Sequence, residues 1–87
     1  MSLSFPNRSR SYDSSRHRVR FWGHDGPMEI AFFLDSDALD FMDPDRRRDE
    51  GAVLRIFDQN IDRILRAASK AYRTGRKRSY LLGSADF

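Results

Sequence analysis

Between residues 53 and 72 the apolar side chains Val53, Leu54, Phe57, Ile61, Ile64, Leu65, Ala68, Ala71 and Tyr72 recur three or four positions apart. That spacing gathers them on one face of an α-helix, and Arg63, Arg66, Lys70 and Arg73 form a second row on the same helix. Asp49 and Glu50 place negative charge where the first amides of a helix lack partners, and Gly75 stands where a helix readily stops. The pattern predicts one helix of about 24 residues, near 36 Å long at about 1.5 Å per residue. Such a rod exceeds the width of a four-stranded sheet, so one end is expected to overhang or bend.

Upstream the period falls to two. Residues 17–22 alternate, with Val19 and Phe21 on one face and Arg18, Arg20 and Trp22 on the other. Residues 28–34 alternate again, setting Met28, Ile30, Phe32 and Leu34 inward against Glu29, Ala31 and Phe33. Between them Gly23-His24-Asp25-Gly26-Pro27 carries two glycines and a proline with no amide hydrogen, so the first strand is expected to end at Gly23 and the chain to reverse. Residues 11–13 suit a very short strand followed by a turn of self-satisfying polar residues over 13–16. Residues 37–42, preceded by the capping oxygens of Asp35 and Ser36, suit a short helix that turns Ala38, Leu39 and Met42 inward. Pro44 breaks it, and Arg46, Arg47 and Arg48 occupy the connection. Residues 76–83 read as a final strand with Tyr80 and Leu82 on one face and Leu81 on the other.

These elements predict an α+β fold: a small two-layer sandwich in β-β-α-α-β order, with an antiparallel sheet of three to four strands packed against one long and one short helix. Residues 1–10 read as an irregular N-terminal arm that Leu3 and Phe5 pin to the body, and residues 11–87 as a single domain. At 87 residues there is room for one core, and with no cysteine neither disulfides nor thiolate metal sites reinforce it. Residues 1–10 hold no long apolar run and no stretch of eighteen apolar residues occurs anywhere, so a cytoplasmic chain without membrane contact is expected.

Net charge is only +3, but its distribution is uneven. Residues 8–20 hold five arginines and one acid, Asp13; residues 35–62 hold nine acids against Arg46, Arg47, Arg48 and Arg55; residues 63–78 hold seven cations and no acid. A basic pole and an acidic pole follow, which steers an anionic partner or pairs copies head to tail.

Three stretches carry a family resemblance: Phe5-Pro6-Asn7-Arg8-Ser9-Arg10-Ser11-Tyr12-Asp13, then Val19-Arg20-Phe21-Trp22-Gly23, and the ending Ser79-Tyr80-Leu81-Leu82-Gly83-Ser84-Ala85-Asp86-Phe87. Over nearly its whole length the chain resembles a small bacterial family, domain of unknown function family 1488. The resemblance implies a short, single-domain α+β protein and transfers no catalytic or binding residue.

Candidate chemistry is sparse. His17 and His24 lack any metal-ligating neighbour at helical spacing, and His24-Asp25 is better explained as turn chemistry than as a catalytic pair. The acids Asp35, Asp37, Asp40, Asp43, Asp45 and Asp49 lack the oxygen ladder and closing glutamate of a calcium loop and read as helix caps on a solvated edge. No serine sits in a nucleophile pattern, and Gly23-x-x-Gly26 is too short to cradle a phosphate. No enzyme activity, metal or cofactor is therefore expected.

Two surfaces remain. Trp22 and Phe33 fall on the strand faces opposite the core, where they form an apolar patch unless Leu3 and Phe5 fold over them. Arg63, Arg66, Lys70 and Arg73, continued by Arg76, Lys77 and Arg78, form a basic helix face. The leading expectation is a non-enzymatic interaction module that binds a protein partner, or a second copy as a homodimer, through the sheet face or the basic helix face. The alternative is weak, sequence-independent nucleic-acid binding through the basic row, with Trp22, Phe33 and Tyr80 as stacking surfaces. Phe87, with a free carboxylate, reads as a terminal aromatic packed on the sheet edge.

Overall fold

A computed structural model describes residues 3–6, 9–45, 49–75, 77 and 79–87. The expected positions of Arg46, Arg47 and Arg48 in the connection, of Arg76 and Arg78 in the last strand, and of residues 1, 2, 7 and 8 in the arm lie outside the described residues.

The architecture is α+β. Strands β1 (Leu3–Ser4), β2 (Arg10–Asp13), β3 (Arg18–Asp25) and β4 (Met28–Leu34) are followed by helices α1 (Ser36–Met42), α2 (Glu50–Gln59) and α3 (Ile61–Gly75). The chain finishes with β5 (Ser79–Leu82) and a 3-10 turn, Ser84–Asp86. The sheet is mixed. β3 and β4 form an antiparallel hairpin from Val19↔Leu34 to Asp25↔Met28, while β5 lies parallel to β4 with Phe32 beside Tyr80. This corrects the expected all-antiparallel sheet. A parallel neighbour needs a long crossover back to the strand's starting end, and the helices between β4 and β5 supply it.

On the other side of β3, β2 pairs with residues 18–21 and β1 with residues 24–25. The segment expected to be irregular thus contributes two strand residues in β1. β3 does not stop at Gly23, as expected, but continues through Asp25, and a two-residue loop of Gly26 and Pro27 closes the hairpin, with Gly26 at φ 61°. A left-handed backbone at the first loop position is the reason glycine stands there. Gly23 is needed for space rather than for a turn, since a Cβ on it would lie 2.9 Å from Leu3 Cδ1 and from Phe5 Cε1. Its missing side chain is the room that Leu3 and Phe5 fill.

All three helices follow β4 and cover one face of the sheet. The fully buried set includes Val19, Phe21, Ile30, Phe32 and Leu34 from the strands, Leu39 from α1, Val53 and Phe57 from α2 and Ile64 from α3. Phe5, Phe21, Phe32, Phe57, Tyr72 and Tyr80 form a connected aromatic series, with Phe21 and Phe32 stacked at 5.2 Å and Phe32 and Tyr80 at 5.3 Å. Burying each large apolar side chain contributes about 1.5–3 kcal/mol.

The expected single long helix is two, broken at Asn60. There φ −109° and ψ 17° leave the helical region, and the Ile56 carbonyl accepts from the Asn60 side-chain amide at 2.9 Å as well as from its backbone amide at 3.1 Å. The apolar stripe survives the break: Val53, Phe57, Ile64, Ala68 and Tyr72 are all buried. α1 begins at the Asp35 carboxylate, which accepts from the Ser36 amide at 3.0 Å, and α2 begins at Asp49, which accepts from Ala52 at 3.3 Å.

Candidate functional site

No described helix or strand packs on the second face of the sheet. Strand alternation sends Arg18, Arg20, Trp22 and His24 of β3 to this face, and the register sets Arg20 beside Phe33, Trp22 beside Ala31 and Phe33 beside Leu81 of β5. Trp22 and Phe33, expected here from the sequence, are both present and half-buried. Leu3 and Phe5 do not cover them, because both turn to the core face, and Ser9 borders a small hollow with Trp22, His24 and Glu29. The Arg18 guanidinium lies 4.2 Å from the centre of the Phe33 ring, and that of Arg20 lies 4.8 Å from Trp22 and 5.9 Å from Phe33. A cation over a ring face is worth about 0.5–1 kcal/mol at exposed sites. Leu81, at 56% exposure, completes the apolar part of the patch.

Arg18 is the most constrained of these cations. Its Nε is buried without a hydrogen-bond partner, and the Asp13 carboxylate stands 3.9 Å away. The Asp13 carboxyl is held below its ordinary range first by the Ser15 hydroxyl, which donates to it at 2.7 Å, and further by backbone amides and the Arg18 charge. Sequence reasoning placed Arg18, Arg20 and Trp22 on one face but did not single out the arginines or Leu81. The usable signal was the two-residue period itself, since any residue two away from Trp22 shares its face.

The second surface is the exposed side of α3, which faces away from the sheet. Arg63, Arg66, Lys70 and Arg73 are all exposed there and fall within an arc of about 80° at about 100° per residue. Arg63 donates to the Asn60 side-chain oxygen at 3.2 Å and lies 6.0 Å from the Phe87 ring. Among the described residues, no hydrogen bond or ion pair reaches the side chains of Arg66, Lys70 and Arg73. An open groove of about 990 Å³ runs along one flank of the row, with Leu3, Leu65 and Tyr72 as apolar lining and Arg66, Lys70 and Arg73 as cationic lining; Asp62 also borders it. Phe87 and Asp86 border a smaller hollow on the other flank. The terminal aromatic thus packs beside α3 and not on the sheet edge.

The two candidate surfaces are not brought together: the sheet lies between the Trp22–Phe33 patch and the helices. Tyr80 belongs to neither. It points into the core, stacked on Phe32 and edge-on to Tyr72 at 6.0 Å, and its hydroxyl accepts from the Lys77 amide. Nor do His24 and Asp25 form a pair, because adjacent strand residues point to opposite faces. His24 looks outward beside Glu29, whereas the Asp25 carboxylate accepts from the Tyr72 hydroxyl at 2.5 Å on the helix side.

The acids serve the backbone. Besides capping α1 and α2, they tie α1 to the end of the chain, with Asp37 accepting from the Ser84 amide at 3.2 Å and its hydroxyl at 3.1 Å. Among the described residues no three histidine, aspartate or glutamate side chains converge as metal ligands, and no helix is long and apolar enough to cross a membrane.

No curated protein and no solved structure matches the chain. A family does: residues 3–82, almost the whole sequence and every strand from β1 to β5, match the family described as protein of unknown function (DUF1488), and the chain belongs to it.

Proposed function

We propose that the protein is a non-enzymatic interaction module whose open sheet face binds an acidic, apolar surface on a partner protein. The observation that carries this reading is the arrangement of Arg18 and Arg20 over Phe33 and Trp22, beside exposed Leu81, on a face that no described element covers. The exposed Arg20 guanidinium, stacked on its rings, offers an edge for a bidentate carboxylate contact, Arg18 beside Asp13 adds charge, and the rings and Leu81 supply apolar area. Two copies meeting symmetrically through this face would set Arg18 and Arg20 against themselves, so an acidic surface suits it better than its own image. Nucleobases suit it less well, since the arginines already occupy ring faces that stacking would require.

A synthetic peptide alternating Glu and Leu tests the reading. Binding is expected to change Trp22 fluorescence, the one tryptophan signal in the chain. Arg20→Glu is expected to weaken binding at least about tenfold, and a peptide alternating Lys and Leu to give no change. Equal responses to both peptides, or none at about 1 mM, would refute the proposal.

A second reading, weak nucleic-acid binding through α3, is favoured by the three unpaired cations Arg66, Lys70 and Arg73. Affinity for short single-stranded RNA should then fall steeply with salt, and further in Arg66→Glu/Arg73→Glu. Indifference to both removes it.

A further inference from the structure

We infer that the partner segment on the open sheet face carries a cation as well as acids, and that this cation seats between Trp22 and Glu29, at the far end of the face from Arg20. The inference rests on the sheet-face reading above and fixes how the partner lies. Register orders the face along its length: Arg20 pairs with Phe33, Trp22 with Ala31 and His24 with Glu29. Positive charge therefore stands at the end of β3 nearer α1, apolar residues occupy the middle, and an acid closes the hairpin end. Asp13 stands 3.9 Å from Arg18 and offsets it, so exposed Arg20 is the cation that meets a carboxylate. Asp25 does not share the face, because it accepts from the Tyr72 hydroxyl on the helix side.

The seat is a hollow of about 300 Å³ lined by Ser9, Trp22, His24 and Glu29. Arg20, two positions before Trp22, stacks on the indole; His24, two positions after it, borders the hollow. Glu29 is exposed, and among the described residues no hydrogen bond or ion pair reaches its side chain. A lysine or arginine entering here lays its apolar stem along the indole and brings its charge to the Glu29 carboxylate. Arg20 and His24 are four residues apart on β3, about 13 Å at about 3.3 Å per residue. An extended segment with an acid, an apolar residue and a cation at every second position covers that distance, and its apolar residue falls over Trp22 and Ala31. A second copy is the poorer occupant, since its arginines on this face are already stacked on its own Phe33 and Trp22 rings.

Two end-capped peptides provide the test, Glu-Ser-Leu-Ser-Lys-Ser-Leu-Ser-Glu and its counterpart with glutamate in place of lysine, each titrated into the full chain and followed by Trp22 fluorescence. The lysine peptide is expected to bind at least about tenfold more tightly. Attraction to the net charge of +3 alone would favour the all-acidic peptide, so this order reports the hollow and not the bulk charge. In Glu29→Gln the two peptides should bind alike, and in Glu29→Lys the order should reverse. A reversal cannot come from misfolding, because a damaged face loses both ligands. The inference is overturned, with the sheet-face reading intact, if the wild type binds both peptides equally or prefers the all-acidic one, or if Glu29→Lys leaves the order unchanged. If neither peptide binds at about 1 mM, both fall. Self-association that rises with concentration and disappears in Glu29→Lys also overturns it and seats a second copy on the face.

Discussion

Gly23 is the residue on which the N-terminal strand depends. Its hydrogen occupies the place where a methyl group would meet the ends of Leu3 and Phe5 at 2.9 Å. Those are side-chain atoms on a short edge segment, so the segment yields before the core does. Gly23→Ala is expected to release β1, with faster hydrogen exchange at the amides of Leu3 and Ser4, and to lower global stability by about 1 kcal/mol; protection of β1 equal to wild type would contradict this. In the sequence the same glycine reads equally well as a reversal point, because a missing side chain serves either backbone freedom or close packing. Only the partner decides, and Leu3 and Phe5 lie eighteen or more positions away. Trp22 and Phe33 were legible because alternation alone assigns their face. Alternation also sets Tyr80 with Leu82 opposite Leu81, as found, and because Leu82 is buried that shared face is the core, which removes Tyr80 as an exposed stacking surface.

At the scale of elements, one side-chain pair ties the edge of the sheet to a helix. The Arg10 guanidinium donates from Nε to Asp58 Oδ1 at 2.9 Å and from Nη2 to Oδ2 at 2.8 Å, linking β2 to α2. That bidentate contact lowers the Asp58 pKa and raises that of Arg10. For a carboxylate with a depressed folded pKa, the stabilisation is complete above the unfolded value of about 3.9 and is lost as pH falls through the folded value. Asp58→Asn is therefore expected to lower the denaturation midpoint near neutral pH, with the gap to wild type closing between about pH 5 and 2. The pair is exposed, so the effect should be modest and shrink with salt; a pH-independent gap would contradict the assignment. The helical stripe itself was readable from periodicity, but its interruption was not. Asn60 differs from its neighbours by one local hydrogen bond to Ile56, which a pattern of apolar positions does not register. The direction of β5 was also hidden, because alternation is the same whichever way a strand runs. The length of the helical stretch held the clue: about 25 residues at about 1.5 Å each carry the chain about 38 Å, enough to return to the starting end of β4.

The whole molecule has one core and no covalent reinforcement. Its total stability is expected to lie near the lower part of the usual range of about 5–15 kcal/mol. Phe57 is 1% exposed and touches Phe21 from the helix layer at 5.2 Å between ring centres. Phe57→Ala should cost about 3–5 kcal/mol and leave a population of unfolded chains detectable by circular dichroism at about 25 °C or slightly above; a cooperative transition at the wild-type temperature would show that the two layers are not one unit. The runs of like charge were legible in the sequence, but which features share an end was not, since it follows from the crossover that makes β4 and β5 parallel. That crossover also dictates an order of events on the ribosome. The β3–β4 hairpin can close as soon as Leu34 emerges, yet the strand that completes it at Phe32 and Leu34 is translated some forty-five residues later. Until then a nascent chain offers a bare, phenylalanine-rich ladder to any other strand, so a premature stop before Ser79 should yield an aggregating fragment and not a smaller domain.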